Sequence, residues 1–122
     1  MSQEEQKIFE TMNANQQVWF EMTYSGSPPT NHTYSLYIDQ TLEFLYLLVP
    51  NAEHFLSSDL HLFEGHLQAV VSFLHKAEHS AFHQSSELQT FERNLAHRTK
   101  QYVNKAIAYI RSVAQQGNEP EE

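Results

Sequence analysis

The chain of 122 residues has no cysteine and contains only three glycines and four prolines. Without cysteine, it has no disulfide framework, no thiolate nucleophile and no cysteine-based zinc site. The longest apolar run, 44–49, ends at Pro50 and is far shorter than the roughly 18 residues of a membrane span. Residues 2–6 lack the basic and apolar regions of a signal peptide. We therefore expect a cytoplasmic protein that does not bind membranes.

Basic residues are also scarce, since seven lysines and arginines oppose fifteen acids and give a net charge of −8. This balance argues against duplex nucleic acid as a partner, because such binding depends on neutralising phosphates. The bases lie mostly late in the chain, so the region up to Asp59 is acidic, with eight acids and one base, Lys7. Such an acidic region would attract a basic protein partner.

Apolar residues recur at helical spacing in four segments, near 3–24, 32–49, 58–83 and 86–115. In the last segment the spacing predicts an inward face that consists of Leu88, Phe91, Leu95, Thr99, Tyr102, Ala106, Ile110 and Val113. Ser2 and Glu5 match a capping box at the start of the first segment. Breaks follow at 25–29, at Pro50 and near Gly117. The pattern predicts an all-α, antiparallel four-helix bundle forming a single domain over 1–117, followed by a disordered acidic tail at 118–122.

Residues 17–39 also fit a second interpretation. Val18, Phe20 and Met22 alternate with polar neighbours before a Pro-Pro loop, and a similar alternation follows the loop. Alternation with a period of two is typical of a β-hairpin. The alternative fold is therefore α+β, with a hairpin at about 17–39 packed on two long helices.

The third segment has two contrasting faces. Its apolar face repeats at three- and four-residue spacing and predicts burial of Leu60, Phe63, Leu67, Val70, Leu74, Ala77 and Ala81. The opposite face carries His61, His75, His79 and His83. Histidines four residues apart on a helix can chelate one transition metal, so His79 could pair with His75 or with His83. A histidine-rich metal-binding protein that uses these residues and a transition-metal cofactor is one hypothesis for function.

Large apolar side chains exceed what one buried stripe per helix requires. The excess residues that could form a partner-binding surface are Trp19, Phe44, Leu47, Leu62 and Phe73. Such wide apolar faces occur on central helices and at interfaces with another subunit, and they favour a homodimer here. The leading hypothesis is a small acidic, non-catalytic interaction or regulatory protein, of adaptor, inhibitor, immunity or chaperone type. It would act by occluding a basic protein partner.

A third hypothesis comes from the last segment. The run Arg93-Asn94-Leu95-Ala96-His97 resembles the Arg-and-His active site of HEPN-type helical ribonucleases. The resemblance covers five residues, and the family has a longer spacer between its arginine and histidine. It implies a helical domain whose catalytic pair would be Arg93 and His97.

Overall fold

The computed structural model describes residues 2–25, 30–79 and 86–116. These residues form four α-helices, with one short 3-10 helix, Ala52–His54, between the second and the third. The α-helices are α1 Gln3–Tyr24, α2 Asn31–Asn51, α3 Ser57–His79 and α4 Ser86–Gln115. The all-α prediction is confirmed. Within the described ranges, no helix is both long enough and apolar enough to cross a membrane. The predicted tail at 118–122 and the predicted extension of the third helix through 80–83 lie outside the described residues.

The hairpin alternative is wrong, because 17–24 belong to α1 and 31–39 belong to α2. Val18 and Met22 are buried at four-residue spacing, whereas Phe20 between them is 54% exposed. Burial therefore follows the helical period and not the strand period. The alternation seen in the sequence arose because Phe20, an exposed apolar residue, lies midway between two members of one helical stripe.

Local interactions explain where the helices begin and end. The Ser2 hydroxyl accepts a hydrogen bond from the Glu5 N–H at 3.1 Å, and a Glu5 carboxylate oxygen accepts one from the Ser2 N–H at 2.9 Å. This reciprocal pair is the predicted capping box. Pro50 does not end α2, which continues to Asn51. The Asn51 side-chain amide donates to the Leu47 carbonyl at 2.7 Å and stabilises the turn in which proline removes a backbone donor.

Consecutive helices run in opposite directions, as expected for an antiparallel bundle. Around the bundle, α1 contacts α2 and α3, and α4 contacts α2 and α3. Helices α2 and α3 face each other across the core, where the rings of Phe44 and Phe63 meet edge to face at 5.7 Å. The pair α3–α4 shares the largest interface, whereas α1 and α3 contact each other sparsely. That sparse contact leaves space between α1 and α3.

The predicted core is confirmed for α3 and partly wrong for α4. Each described member of the α3 stripe, from Leu60 to Ala77, is fully buried. On α4, Phe91 and Tyr102 were expected inside but are 59% and 56% exposed. The inward face of α4 is rotated toward smaller and polar residues, among them Glu92, Ala96, Thr99, Val103 and Ile107. Small residues allow α4 to approach α3 closely.

Candidate functional site

A cleft of about 710 Å³ opens between α1 and α3. From α1 it is lined by Asn13, Gln16, Gln17, Trp19 and Phe20, and from α3 by His61, Leu62, Gly65, His66 and Ala69, with Tyr37 of α2 also contributing. These positions repeat every three to four residues, so each helix presents one face to the cleft.

Gly65 and Ala69 explain why the cleft stays open. They lie four residues apart on one face of α3, and both are exposed. A Cβ atom placed on Gly65 would meet nothing within 4 Å. The chain therefore places its two smallest cleft residues where a larger side chain would fill the space.

The walls of the cleft are apolar and accessible. Phe20 is 54% exposed and Leu62 is 51% exposed on opposite sides. Next to the cleft, Tyr24 contacts both Phe20 and Trp19, with ring centroids 4.7 Å and 6.1 Å apart. Exposed apolar residues grouped in this way mark an interaction surface more often than scattered ones do.

Beneath the apolar walls lies a buried polar contact between α1 and α3. Asn15 is fully buried, and its amide oxygen lies 2.9 Å from Nε2 of His66. Because an amide oxygen only accepts hydrogen bonds, His66 must carry its proton on Nε2. The Asn15 amide nitrogen donates to the Tyr37 carbonyl at 3.2 Å, which extends the contact to α2. This network fixes three helices relative to one another at the base of the cleft.

Burial determines the protonation state of the groups at this base. It lowers the pKa of His66 from 6.5 to about 4, so the ring is neutral at neutral pH. Burial also raises the pKa of the Tyr37 hydroxyl, which has no hydrogen-bond partner in the described part of the chain. Among the described residues, none that lines the cleft is a carboxylate, a lysine or an arginine. These properties suit binding of an apolar group.

The structure separates the residues that were expected to contact a partner. Trp19 and Leu62 line the cleft. Phe44 is fully buried against Phe63 and His66, so its expected place on a partner-binding surface is wrong. Phe73 and Leu47 are half-buried and pack against the core. The wide apolar faces of α2 and α3 exist because these two helices meet across the core, which covers most of both faces.

Three residues at the base of the cleft were not predicted as site residues from the sequence, namely Asn15, His66 and Tyr37, whose hydroxyl has no hydrogen-bond partner among the described residues. Spacing gives a signal for two of them. His66 follows the core residue Phe63 by three positions, and Asn15 follows the core residue Met12 by three. A polar residue at a core position of an amphipathic helix is expected to be buried and hydrogen-bonded.

The histidine face of α3 contains a second candidate site. His75, Glu78 and His79 bring one ligand atom each to within 4.8 Å of the others, and both histidines are exposed. His83 lies outside the described residues. His61 lines the cleft instead. It lies nearly four helical turns, roughly 21 Å, before His75, so its expected role as a ligand of the same ion is wrong.

Two residues of α4 hold the carboxylate of Glu78. One oxygen lies 2.8 Å from Nδ1 of His97, and the other accepts a hydrogen bond from the Lys100 ammonium. These bonds, that of Lys100 foremost, lower the pKa of Glu78.

His97 is thereby engaged with a carboxylate, and neither it nor the exposed Arg93 lines the α1–α3 cleft. The geometry adds nothing to the HEPN resemblance.

A smaller groove of about 440 Å³ lies between α2 and α4. It is lined by Tyr46, Tyr102 and Tyr109, of which Tyr46 is 79% exposed, and by apolar residues and Lys105. The groove is smaller and more open than the α1–α3 cleft, and none of the described residues that line it is a buried polar one. The α1–α3 cleft is therefore the better candidate for the main site.

No protein-family model matches this chain, and no curated protein or solved structure is significantly similar to it.

Proposed function

We propose that the protein is a non-catalytic interaction protein that accepts apolar side chains of a basic partner protein in the α1–α3 cleft. The observation that carries this proposal is the pairing of exposed Phe20 and Leu62 across an open cleft. Partner side chains that cover both residues would bury apolar surface, which is the main favourable contribution to association.

The shape of the cleft favours a protein segment over a small molecule. Its α1 side extends from Asn13 to Phe20, which is about 10 Å or two helical turns. Its rim includes the half-exposed apolar residues Phe20 and Leu62 beside exposed polar ones, whereas small-molecule sites enclose most of the ligand surface. A groove between two helices is suited to an amphipathic helix that inserts anchors from successive turns. The polar side chains of Gln16, Gln17 and His61 would then meet the polar edge of that helix.

The charge of the chain favours a basic partner. The net charge is −8, and α1 and α2 carry Glu4, Glu5, Glu10, Glu21, Asp39 and Glu43 against the single base Lys7. The described residues that line the cleft include no carboxylate, so the acids act from a distance. Long-range attraction of this kind raises the association rate and weakens with added salt.

Trp19 provides a direct test, because it is the only tryptophan and it lines the cleft. Two synthetic amphipathic peptides with the same apolar face would be titrated into the protein, one with lysine and arginine on its polar face and one with glutamate. We expect a saturable change in Trp19 fluorescence with the basic peptide, weakened by salt. We expect no change with the acidic peptide. Equal responses to both peptides would contradict the proposed preference for a basic partner.

Filling the cleft tests the location. Gly65→Leu places a branched side chain in open space, so the fold should tolerate it while binding is lost. The matched control is Ala108→Leu, which adds the same side chain at an exposed position of α4 away from the cleft. Unchanged peptide binding by folded Gly65→Leu would show that the peptide binds elsewhere.

Self-association through the same surface is the competing outcome. Light scattering at micromolar concentration separates the 14.2 kDa chain from a dimer of twice that mass. A dimer that Leu62→Glu converts to a folded monomer would assign the cleft to a second copy of the chain. That result would replace the proposed partner protein with a homodimer.

A further inference from the structure

We propose that His75, Glu78 and His79 bind a divalent first-row transition ion such as Zn²⁺, at a site distinct from the α1–α3 cleft. The site takes three ligands from the last turns of α3 and leaves the fourth position of a tetrahedral ion open to water. It does not depend on the function proposed for the cleft.

Helical spacing brings these three side chains together. Glu78 follows His75 by three residues and His79 follows His75 by four, so both lie next to His75 on the surface of α3. Their nearest ligand atoms lie within 4.8 Å of one another, and the two imidazole rings are already in contact, with centroids 4.5 Å apart. Around a tetrahedral Zn²⁺ with bonds near 2.0–2.1 Å, ligand atoms lie about 3.3 Å apart. Closing that difference requires side-chain rotations alone, and both histidines are exposed and have room to rotate.

The donor set determines which ions fit. Imidazole nitrogen suits zinc, copper, nickel and cobalt, whereas Mg²⁺ and Ca²⁺ prefer oxygen ligands throughout. One carboxylate and two imidazoles form the same type of three-ligand set that occurs in zinc sites with an open position.

Residues of α4 prepare the carboxylate ligand. The Glu78 oxygen that accepts from Nδ1–H of His97 keeps a further lone pair, so it can hold an ion and this bond together. Hydrogen bonds from outside the ligand set commonly orient metal-binding carboxylates in this way. Lys100 bonds the other oxygen, and its positive charge opposes that of the ion. Ion binding is therefore expected to be weakened by Lys100 and oriented by His97.

The test is calorimetric titration of tag-free protein with ZnCl₂ at neutral pH, with thermal unfolding measured in parallel. We expect one ion per chain, a higher melting temperature with Zn²⁺, and no effect of Mg²⁺. His79→Ala and Glu78→Gln should remove this binding. The matched control is His61→Ala, which deletes an exposed histidine of the same helix outside the site and should leave binding unchanged.

Lys100→Gln provides an independent test of the direction in which Zn²⁺ affinity changes. Glutamine keeps a hydrogen-bond donor for Glu78 and removes the positive charge. A unit charge about 5 Å from a divalent ion, in water with physiological salt, corresponds to roughly fivefold in affinity. We therefore expect roughly fivefold tighter Zn²⁺ binding by this variant. Absence of Zn²⁺ binding, or equal losses in His79→Ala and His61→Ala, would overturn the proposal. Weaker binding by Lys100→Gln would remove Glu78 from the ligand set and overturn it as well.

Discussion

His66 makes the stability of this protein depend on pH in a way that can be calculated. The residue is 6% exposed, and its Nε2–H donates a hydrogen bond to the buried amide oxygen of Asn15. Charging the ring therefore means placing a cation where water is excluded, which is why burial lowers its pKa to about 4. In the unfolded chain the same ring has its ordinary pKa of 6.5.

The sign follows from proton binding in the two states. Between pH 6.5 and 4 the unfolded chain binds a proton at His66 and the folded protein does not, so acid favours unfolding. The stability is complete above pH 6.5 and is lost progressively as the pH falls toward 4. The difference between the two pKa values corresponds to about 3 kcal/mol in the free energy of unfolding. That is a large part of the 5–15 kcal/mol typical of a domain.

The assay compares wild type with His66→Gln by urea unfolding at several pH values from 7 to 4. Glutamine can place an N–H near the position of Nε2 and does not titrate, so other groups cancel in the difference. We expect wild type to lose about 3 kcal/mol relative to His66→Gln over this range. Because the sequence pI is about 5.4, the measurement requires low protein concentration, and Trp19 fluorescence allows this. The exposed His32→Gln is the control. A constant difference between wild type and His66→Gln across the range would refute the reasoning.

Three further predictions concern stability and are measured by urea or thermal unfolding. Tyr37→Phe should raise the free energy of unfolding by about 1 kcal/mol, because it removes a buried hydroxyl that has no hydrogen-bond partner among the described residues. Tyr34→Phe should lower it by about 1 kcal/mol, because that hydroxyl donates to an α4 carbonyl at 2.9 Å. Equal effects of the two substitutions would contradict this reasoning. Gly65→Ala should raise the free energy of unfolding by about 0.5–1 kcal/mol, because alanine has the higher helix propensity. A lower free energy of unfolding would show that α3 needs glycine at this position. Phe44→Ala should lower the free energy of unfolding by about 3–5 kcal/mol, and Leu62→Ala should lower it by less than about 0.5 kcal/mol. A larger loss in Leu62→Ala would contradict the burial of Phe44.

The parts of the fold that depend on local sequence were predictable. Ser2 and Glu5 cap α1 as expected, because a capping box is complete within four residues. The α3 stripe is buried as expected, because large aliphatic residues at helical spacing have no other favourable location. These features need no information about neighbouring helices.

The parts that depend on how helices face one another were not predictable. Phe91 and Tyr102 continue an apolar stripe on α4, yet they are exposed because α4 turns its smaller residues toward α3. Phe44 was expected at a partner surface, yet it is buried because α2 and α3 meet across the core. In both cases the sequence shows that a face is apolar, and the tertiary arrangement decides what covers it.

The candidate sites likewise combine features that local sequence determines with features that helix packing determines. The pair His75 and His79 was readable from the sequence, because four-residue spacing on a helix places side chains together. The bonds from His97 and Lys100 to Glu78 could not be predicted, since they depend on the packing of α3 against α4. The α1–α3 cleft was not predictable either, because a cleft is defined by the space between two helices. Trp19 and Leu62 were nevertheless predicted as partner-binding residues.

The position of the cleft follows from how the bundle is joined. Ion pairs of Glu64 with Arg111 and of Glu78 with Lys100 connect α3 to α4. The sparse α1–α3 interface contains the ring contact of Phe9 with Phe63 and the buried bond of Asn15 to His66. A buried polar bond holds two helices in register without requiring large side chains on either side of it. The residues above that bond, Gly65 and Ala69 among them, are thus free to stay small and leave a cleft. The bond that makes stability depend on pH therefore also lies at the base of the proposed binding site.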